Sequence, residues 1–343
     1  MSHQPFTPIQ EVGRQQLIDS LRQFETAKSP SLIKGIGDDA AVFRISDYLS
    51  GLLSTDSLVE GVHFDLVYTP FKHLGFKAVT AAVSDIYAMN GKPELITVSV
   101  MLPNRISLEM LHEFYSGVHS AAHHYNVDIA GGDVAPTVSN MVLSLTAYGT
   151  TDADRVCYRS GAKPGEALCV TGDLGGAFAG LKLLMREKNV WQERGDEQFE
   201  PDLSGFDYVV GRQLVPHARK DLIDALQEAG ITPGAMIDIS QGLANELIYL
   251  GRASGCGARI YEAALPVAPD TRAAANELQD NVDQFALHGG EDYELMFTLS
   301  EKDVERFADL FRDFVVIGKL VPASEGILLQ TSEGDVHEIR LPG

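Results

Sequence analysis

Short β-branched runs alternate with segments of helical period along the chain, and that alternation sets the first expectations of its fold. LLSTD (52–56), ITVSVMLP (96–103) and MVLSLTAYGT (141–150) read as strands. Residues 74–90, LGFKAVTAAVSDIYAMN, read as a helix that Gly91 and Pro93 bring to a stop. A second helix is expected over 108–125, where Leu108, Leu111, Phe114, Tyr115 and Val118 share one face. A polar, turn-rich stretch follows near 150–165, and the pattern then begins again. ALCVTG starts a new strand and GGAFAGLKLLMRE a helix, with further strands at CGARIYEAALP, YELMFTLS and FVVIGKLV. Residues 186–206 are charged and aperiodic and read as a surface excursion. The expectation is a mixed α/β chain in two domains, residues 1–152 and 153–343, and the length of 343 residues suits two domains of ordinary size.

Composition narrows the function classes. Hydrophobic residues make up 45% of the chain and charged residues 22%, enough to bury a full core. No apolar run approaches the roughly 18 residues that span a bilayer, and the first residues lack a signal-peptide layout, so a cytoplasmic protein is expected. The formal net charge of -21 sets the surface against nucleic acid and anionic membranes as partners. It also repels phosphate-bearing substrates unless metal cations intervene. Cys157, Cys169 and Cys256 show no CxxC spacing, which argues against a disulfide framework, a zinc site or a catalytic thiol.

The candidate chemistry is carboxylate chemistry. The chain has neither a GxxxxGK[ST] phosphate loop nor a GxGxxG turn opening a helix, so nucleotide binding would have to be built another way. Instead GIGDD (35–39), STDS (54–57), AGGD (130–133) and DISQG (238–242) each set an Asp among glycine or hydroxyl residues beside an expected strand. Asp85 adds a carboxylate inside an apolar helix, where burial is costly unless a cation meets it. Any one of these reads as a cap or turn residue. Five together point to a magnesium cluster, since hard cations take oxygen ligands and neutralise polyphosphate. GDLGGAFAGLKLL (172–184) is either a tight turn or an anion site at a helix start. In HGGEDYELMF (288–297), Glu291 is either an exposed turn residue or an acceptor for an amine-bearing ligand. His63 is a candidate phosphate contact or a plain surface histidine.

Taken in order, GIGDDAAVF, STDSLVEGVHF, AAVSDIYAMNGKP, AGGD, YRSGAKPGE, DIS-GL and GGEDYEL resemble the thiamine-monophosphate kinases, a family in the aminoimidazole ribonucleotide synthetase-like superfamily. The resemblance runs from about residue 30 to about residue 300. It implies an N-terminal α/β domain whose strands pair across a homodimer, and a C-terminal α/β domain completing the site. It also implies transfer of the γ-phosphoryl group of ATP to thiamine monophosphate, assisted by several Mg2+ ions and without a general base. Matched by motif, Asp39, Ser54, Thr55, Asp56, Asp85, Asp133, Asp238 and Gln241 would belong to the metal cluster. Tyr115, Gly132, Arg159 and Ser240 match ATP contacts, and His63 and Glu291 match contacts to the thiamine phosphate. Two features depart from the pattern. Gln241 stands where an aspartate is usual, which would weaken one metal site, and EIRLPG offers no counterpart to a C-terminal aromatic segment that closes over the substrate. Those departures keep open another ATP-using member of the superfamily, or a nucleotide-binding homologue without turnover.

Overall fold

The structure, a computed structural model, describes residues 7–26, 28–195 and 200–340. A short helix, α1 (Arg14–Arg22), precedes the first sheet. That sheet comprises β1 (Leu32–Lys34), β2 (Ala41–Arg44), β3 (Leu49–Val59), β4 (Lys92–Leu102), β5 (Asp128–Pro136) and β6 (Val142–Asp152). Their spatial order is β1-β2-β3-β6-β4-β5. β3 and β6 pair antiparallel along their whole length, from Leu49 opposite Asp152 to Val59 opposite Val142. In β6 the side chains of Leu143, Leu145 and Ala147 go inward while Ser144, Thr146 and Tyr148 are partly exposed, the alternation of a sheet with one buried face.

Two helices cover that buried face. α2 (Phe71–Ala88) is apolar almost all round and lies in the interior, while α3 (Leu108–Tyr125) is amphipathic and lies outside it. Ser107 caps α3 at its start by accepting the Met110 N–H, and Asn126 ends it in the left-handed conformation. The two helices touch backbone to backbone. A Cβ on Gly117 would fall 1.8 Å from the Lys72 carbonyl oxygen, and one on Gly75 would fall 2.1 Å from that of Phe114.

The second sheet holds β7 (Ala167–Thr171), β8 (Met236–Ile239), β9 (Cys256–Tyr261), β10 (Glu294–Leu299), β11 (Phe314–Pro322), β12 (Ile327–Gln330) and β13 (Val336–Glu338). It runs in the order β13-β12-β9-β11-β7-β10-β8. β7, β8 and β10 are buried at every residue and mostly apolar, with Asp238 in β8 and Glu294 in β10 as buried carboxylates. Around the sheet lie α4 (Gly176–Arg194), α5 (Asp207–Leu214), α6 (Lys220–Ala229), α7 (Leu243–Ser254), α8 (Pro269–Leu278), α9 (Val282–His288) and α10 (Glu301–Ala308). The main core does not stop between the sheets. Ile86, Val98 and Leu145 belong to the same buried cluster as Leu222, Phe297 and Phe307.

Two expectations need correction. The stretch 186–206 is not an excursion throughout, because α4 continues to Arg194. Its charges hid a helix anchored by Glu187, which is buried, pairs with Arg186 and accepts the Asp202 N–H. Residues 196–199 lie outside the described residues. The AGGD motif (130–133) lies within a strand, β5, rather than beside one. β5 is an edge strand exposed along almost its whole length, so it carries no apolar alternation for a pattern to show.

Candidate active site

Three of the acidic units converge where the two sheets meet. Asp39 arrives from the glycine-flanked turn before β2, Asp85 from the last turns of α2, and Asp238 from the end of β8. These three carboxylates each offer an oxygen within 4.8 Å of the others. Serines brace the group: Ser84 donates to Asp238 Oδ2 at 2.9 Å and Ser240 to Asp238 Oδ1 at 3.4 Å. Arg159 pairs through Nη2 with Asp39 Oδ1. The other oxygen, Asp39 Oδ2, is buried without a hydrogen-bond partner.

Electrostatics mark this cluster as a place that wants a cation. Burial, then Asp56, Asp238 and Asp39, push the Asp85 carboxyl well above the usual carboxylate range, against the Ser54 hydroxyl. Burial and Asp39 raise Asp238 to about 7. Burial alone would depress the Arg159 guanidinium, but Asp39 reverses that and keeps it charged. One arginine does not balance this many acids in a low-dielectric site. An orphaned buried oxygen among converging carboxylates fits a hard divalent cation with oxygen ligands.

Asp38 behaves differently from its neighbour. Its Oδ1 accepts the backbone N–H groups of Arg159 at 3.0 Å and of Asp39 at 3.3 Å, and burial with Asp39 raises it to about 6. It braces the turn that aims Asp39 inward.

A cleft of about 290 Å³ opens beside the cluster, with His63, Asp65, Tyr68, Met185, Lys188 and Glu291 in its lining. Lys188 of α4 pairs with Asp65 across it. His63 is exposed, and its Nδ1 accepts the Val59 N–H at 3.0 Å, which leaves Nε2 to carry the ring proton. Glu291 is held in a strained segment: Glu291 and Tyr293 have φ of 67° and 52°. The segment is tied to the DISQG loop, since the Glu291 N–H donates to the Ser240 carbonyl at 2.9 Å and the Tyr293 N–H to that of Ile239 at 3.0 Å. A Cβ on Gly290 would sit 2.8 Å from the Ser240 oxygen, so glycine permits this approach.

Ser54 and Asp56 share the face of β3 that turns toward Asp85, whereas the Thr55 hydroxyl lies on the opposite face and donates to the Leu145 carbonyl at 3.2 Å. Gly132 and Asp133 sit on the exposed β5 edge, outside the three-carboxylate group. Tyr115 is a half-buried residue of α3 against Phe114. The Gln241 N–H donates to Glu246 Oε1 at 3.1 Å. The glycine-rich turn before α4 is already filled by an internal anion: Asp292 accepts the N–H groups of Gly175 at 2.7 Å and Ala177 at 3.2 Å.

Three residues of the site escaped the sequence reading. Glu246, fully buried on α7, has its carboxyl raised by burial and then by Asp238. Asp292 caps α4, and Lys77 pairs with Glu291 at 2.7 Å. Only Asp292 left a signal, as the second acid of GGEDYEL.

Known proteins bear on this arrangement. The N-terminal domain model of AIR synthase related proteins matches residues 37–151, and the C-terminal domain model matches residues 163–329. The thiamine-monophosphate kinase of Bacillus subtilis is 33% identical over 283 residues, 82% of each chain. That of Aquifex aeolicus is 33% identical over 324 residues, 94% of this chain and 95% of its own. Among solved structures, AaThiL complexed with AMPPCP and TMP superposes with a TM-score of 0.80 at 31% identity, covering 94% of this chain and 95% of that one. Hydrogenase maturation protein HypE in complex with ATP shares the fold, with a TM-score of 0.68 at 20% identity over 97% of this chain and 96% of its own.

Proposed function

Because the chain belongs to the AIR synthase related family and, within it, to the thiamine-monophosphate kinases, we propose that it transfers the γ-phosphoryl group of ATP to thiamine monophosphate. The products are thiamine diphosphate and ADP. The observation that carries this reading is the convergence of Asp39, Asp85 and Asp238, with one buried oxygen orphaned, beside a cleft that holds Glu291 and His63. The AMPPCP and TMP bound in the AaThiL relative support the same pair of substrates.

Asp39, Asp85 and Asp238 would hold Mg2+, with Ser54, Asp56 and Gln241 as further ligands, whereas Thr55 and Asp133, which lie away from this group, would serve only an ion outside it. Bound there, Mg2+ would neutralise phosphate charge and favour the transferring phosphoryl group. Arg159 meets the nucleotide phosphates together with Tyr115, Gly132 and Ser240. Glu291 and His63 orient the acceptor. Its attacking phosphate oxygen is already ionised, so no side chain has to remove a proton. What the protein supplies is in-line positioning and a fixed field. We place the reaction in the cytoplasm, in keeping with the lack of any helix among the described residues that is long and apolar enough to cross a membrane. The free edge of β5, with Val134 65% exposed, suits pairing with a second copy in a homodimer. Light scattering tests that state.

The reading is tested by incubating the protein with ATP, MgCl2 and thiamine monophosphate and following thiamine diphosphate. No product at high enzyme concentration overturns it. Gln241 favours one second reading, nucleotide binding without turnover. Calorimetry showing ATP–magnesium binding without any binding of thiamine monophosphate would decide for it.

A further inference from the structure

Lys77 is a buried charge that the proposed reaction leaves unused. It sits in the interior of α2 between Phe76 and Ala78, with 2% of its side chain exposed. A buried ammonium is expensive, and an apolar residue of similar volume would serve stability at least as well. The Lys77 charge is spent on one atom. Its Nζ donates to Glu291 Oε2 at 2.7 Å, and Gln213 Nε2 from α5 donates to the same oxygen at 3.0 Å. Both bonds fall on Oε2, which leaves Oε1 to face a ligand in the cleft that Glu291 lines. The backbone of Glu291 is held as firmly, in its left-handed conformation with its N–H on the Ser240 carbonyl. A carboxylate fixed at both ends has one oxygen and one direction to offer.

We infer that Lys77, aided by Gln213, is a positioning residue that sets acceptor specificity by fixing Glu291 as a single, oriented hydrogen-bond acceptor for an N–H donor on a heteroaromatic amine. The inference rests on the thiamine monophosphate reading, whose aminopyrimidine ring carries such a donor. A site built around an acceptor for an N–H rejects an analogue that lacks it far more strongly than a merely apolar pocket would. Lys77 does not touch the transferring phosphate, so its loss acts on acceptor binding rather than on the chemical step.

The test compares wild type, Lys77→Met and Gln213→Leu with thiamine monophosphate and with its oxo analogue, in which a carbonyl replaces the exocyclic amine. Loss of a buried charge-assisted bond predicts that Lys77→Met raises KM for thiamine monophosphate ~10–100-fold, with kcat and the KM for ATP within a few-fold of wild type. The preference for the amine over the oxo analogue should collapse in the same variant. Lys77→Arg should recover part of it, and Gln213→Leu should show the same split at smaller size. An unchanged KM, a loss confined to kcat, or an undiminished preference overturns the inference while the kinase reading stands. If Lys77→Met does not fold, as thermal melting will show, Gln213→Leu decides on the same criteria. A wild-type protein inert toward thiamine monophosphate overturns the kinase reading, and this inference with it.

Discussion

Asp38 and Asp39 are adjacent in sequence and opposite in role. Asp39 turns into the carboxylate cluster with one oxygen unpartnered, while Asp38 spends its Oδ1 on two backbone N–H groups. Amide substitution separates the roles because it keeps shape and removes charge. Asp85→Asn is expected to lower kcat/KM by ~10²–10³ and to move the magnesium titration to higher concentration. Asp38→Asn retains an oxygen for the Arg159 N–H, so its loss should stay within about tenfold. Steady-state kinetics across a magnesium series distinguishes them, and equal losses would contradict this division. Gln241→Asp should shift the same titration about tenfold toward lower magnesium, by restoring an anionic oxygen beside Asp238. The metal candidates were visible in sequence because an acid among glycines, or inside an apolar helix, is locally anomalous. Lys77 was not, since a lysine in a helix is ordinary until its partner, 214 residues away, is placed beside it.

Among the elements, α2 and α3 depend on glycine for their approach. Gly117→Ala would drive a methyl group into the Lys72 carbonyl and should destabilise the protein by about 1–3 kcal/mol. Gly211 offers the control: it lies inside α5 with nothing within 4 Å of a Cβ, and Gly211→Ala should stabilise by about 0.5–1 kcal/mol. Chemical denaturation of both variants checks the contrast in sign. Elements with a clean period were legible in advance: α3 spans the expected 108–125, and β6 closely follows the expected 141–150. β5 escaped because it buries neither face, and the end of α4 because its Lys188 finds its partner only in Asp65, 123 residues away. The anion at the α4 N-terminus proved to be Asp292, a contact 115 residues away that the glycine-rich turn itself does not announce.

For the whole molecule, the acid excess makes stability depend on pH and on cations together. Asp38 and Asp238 have folded-state values raised to about 6 and about 7. The native state therefore holds protons that the unfolded chain, with carboxyls near the usual value of about 4, has released. Their stabilising contribution is full below about pH 4 and is lost as pH rises through 6 and 7. Magnesium favours the charged forms, so it should raise the melting temperature more at pH 8 than at pH 5.5. Melting curves in EDTA and in MgCl2 at both pH values test this, and equal shifts would refute it. The family and the mixed α/β fold were readable from ordered motifs, whereas the core cluster shared by the two sheets was not, because residues distant in sequence assemble it. That core carries α2 through its middle, with Lys77 at one station and Asp85 at another, eight residues or about 12 Å along one rigid axis. On the proposed reaction the helix would act as a ruler. Acceptors would then be measured by length as well as by chemistry, and a molecule too long or too short between its ring and its phosphate would be held well at one mark and miss the other.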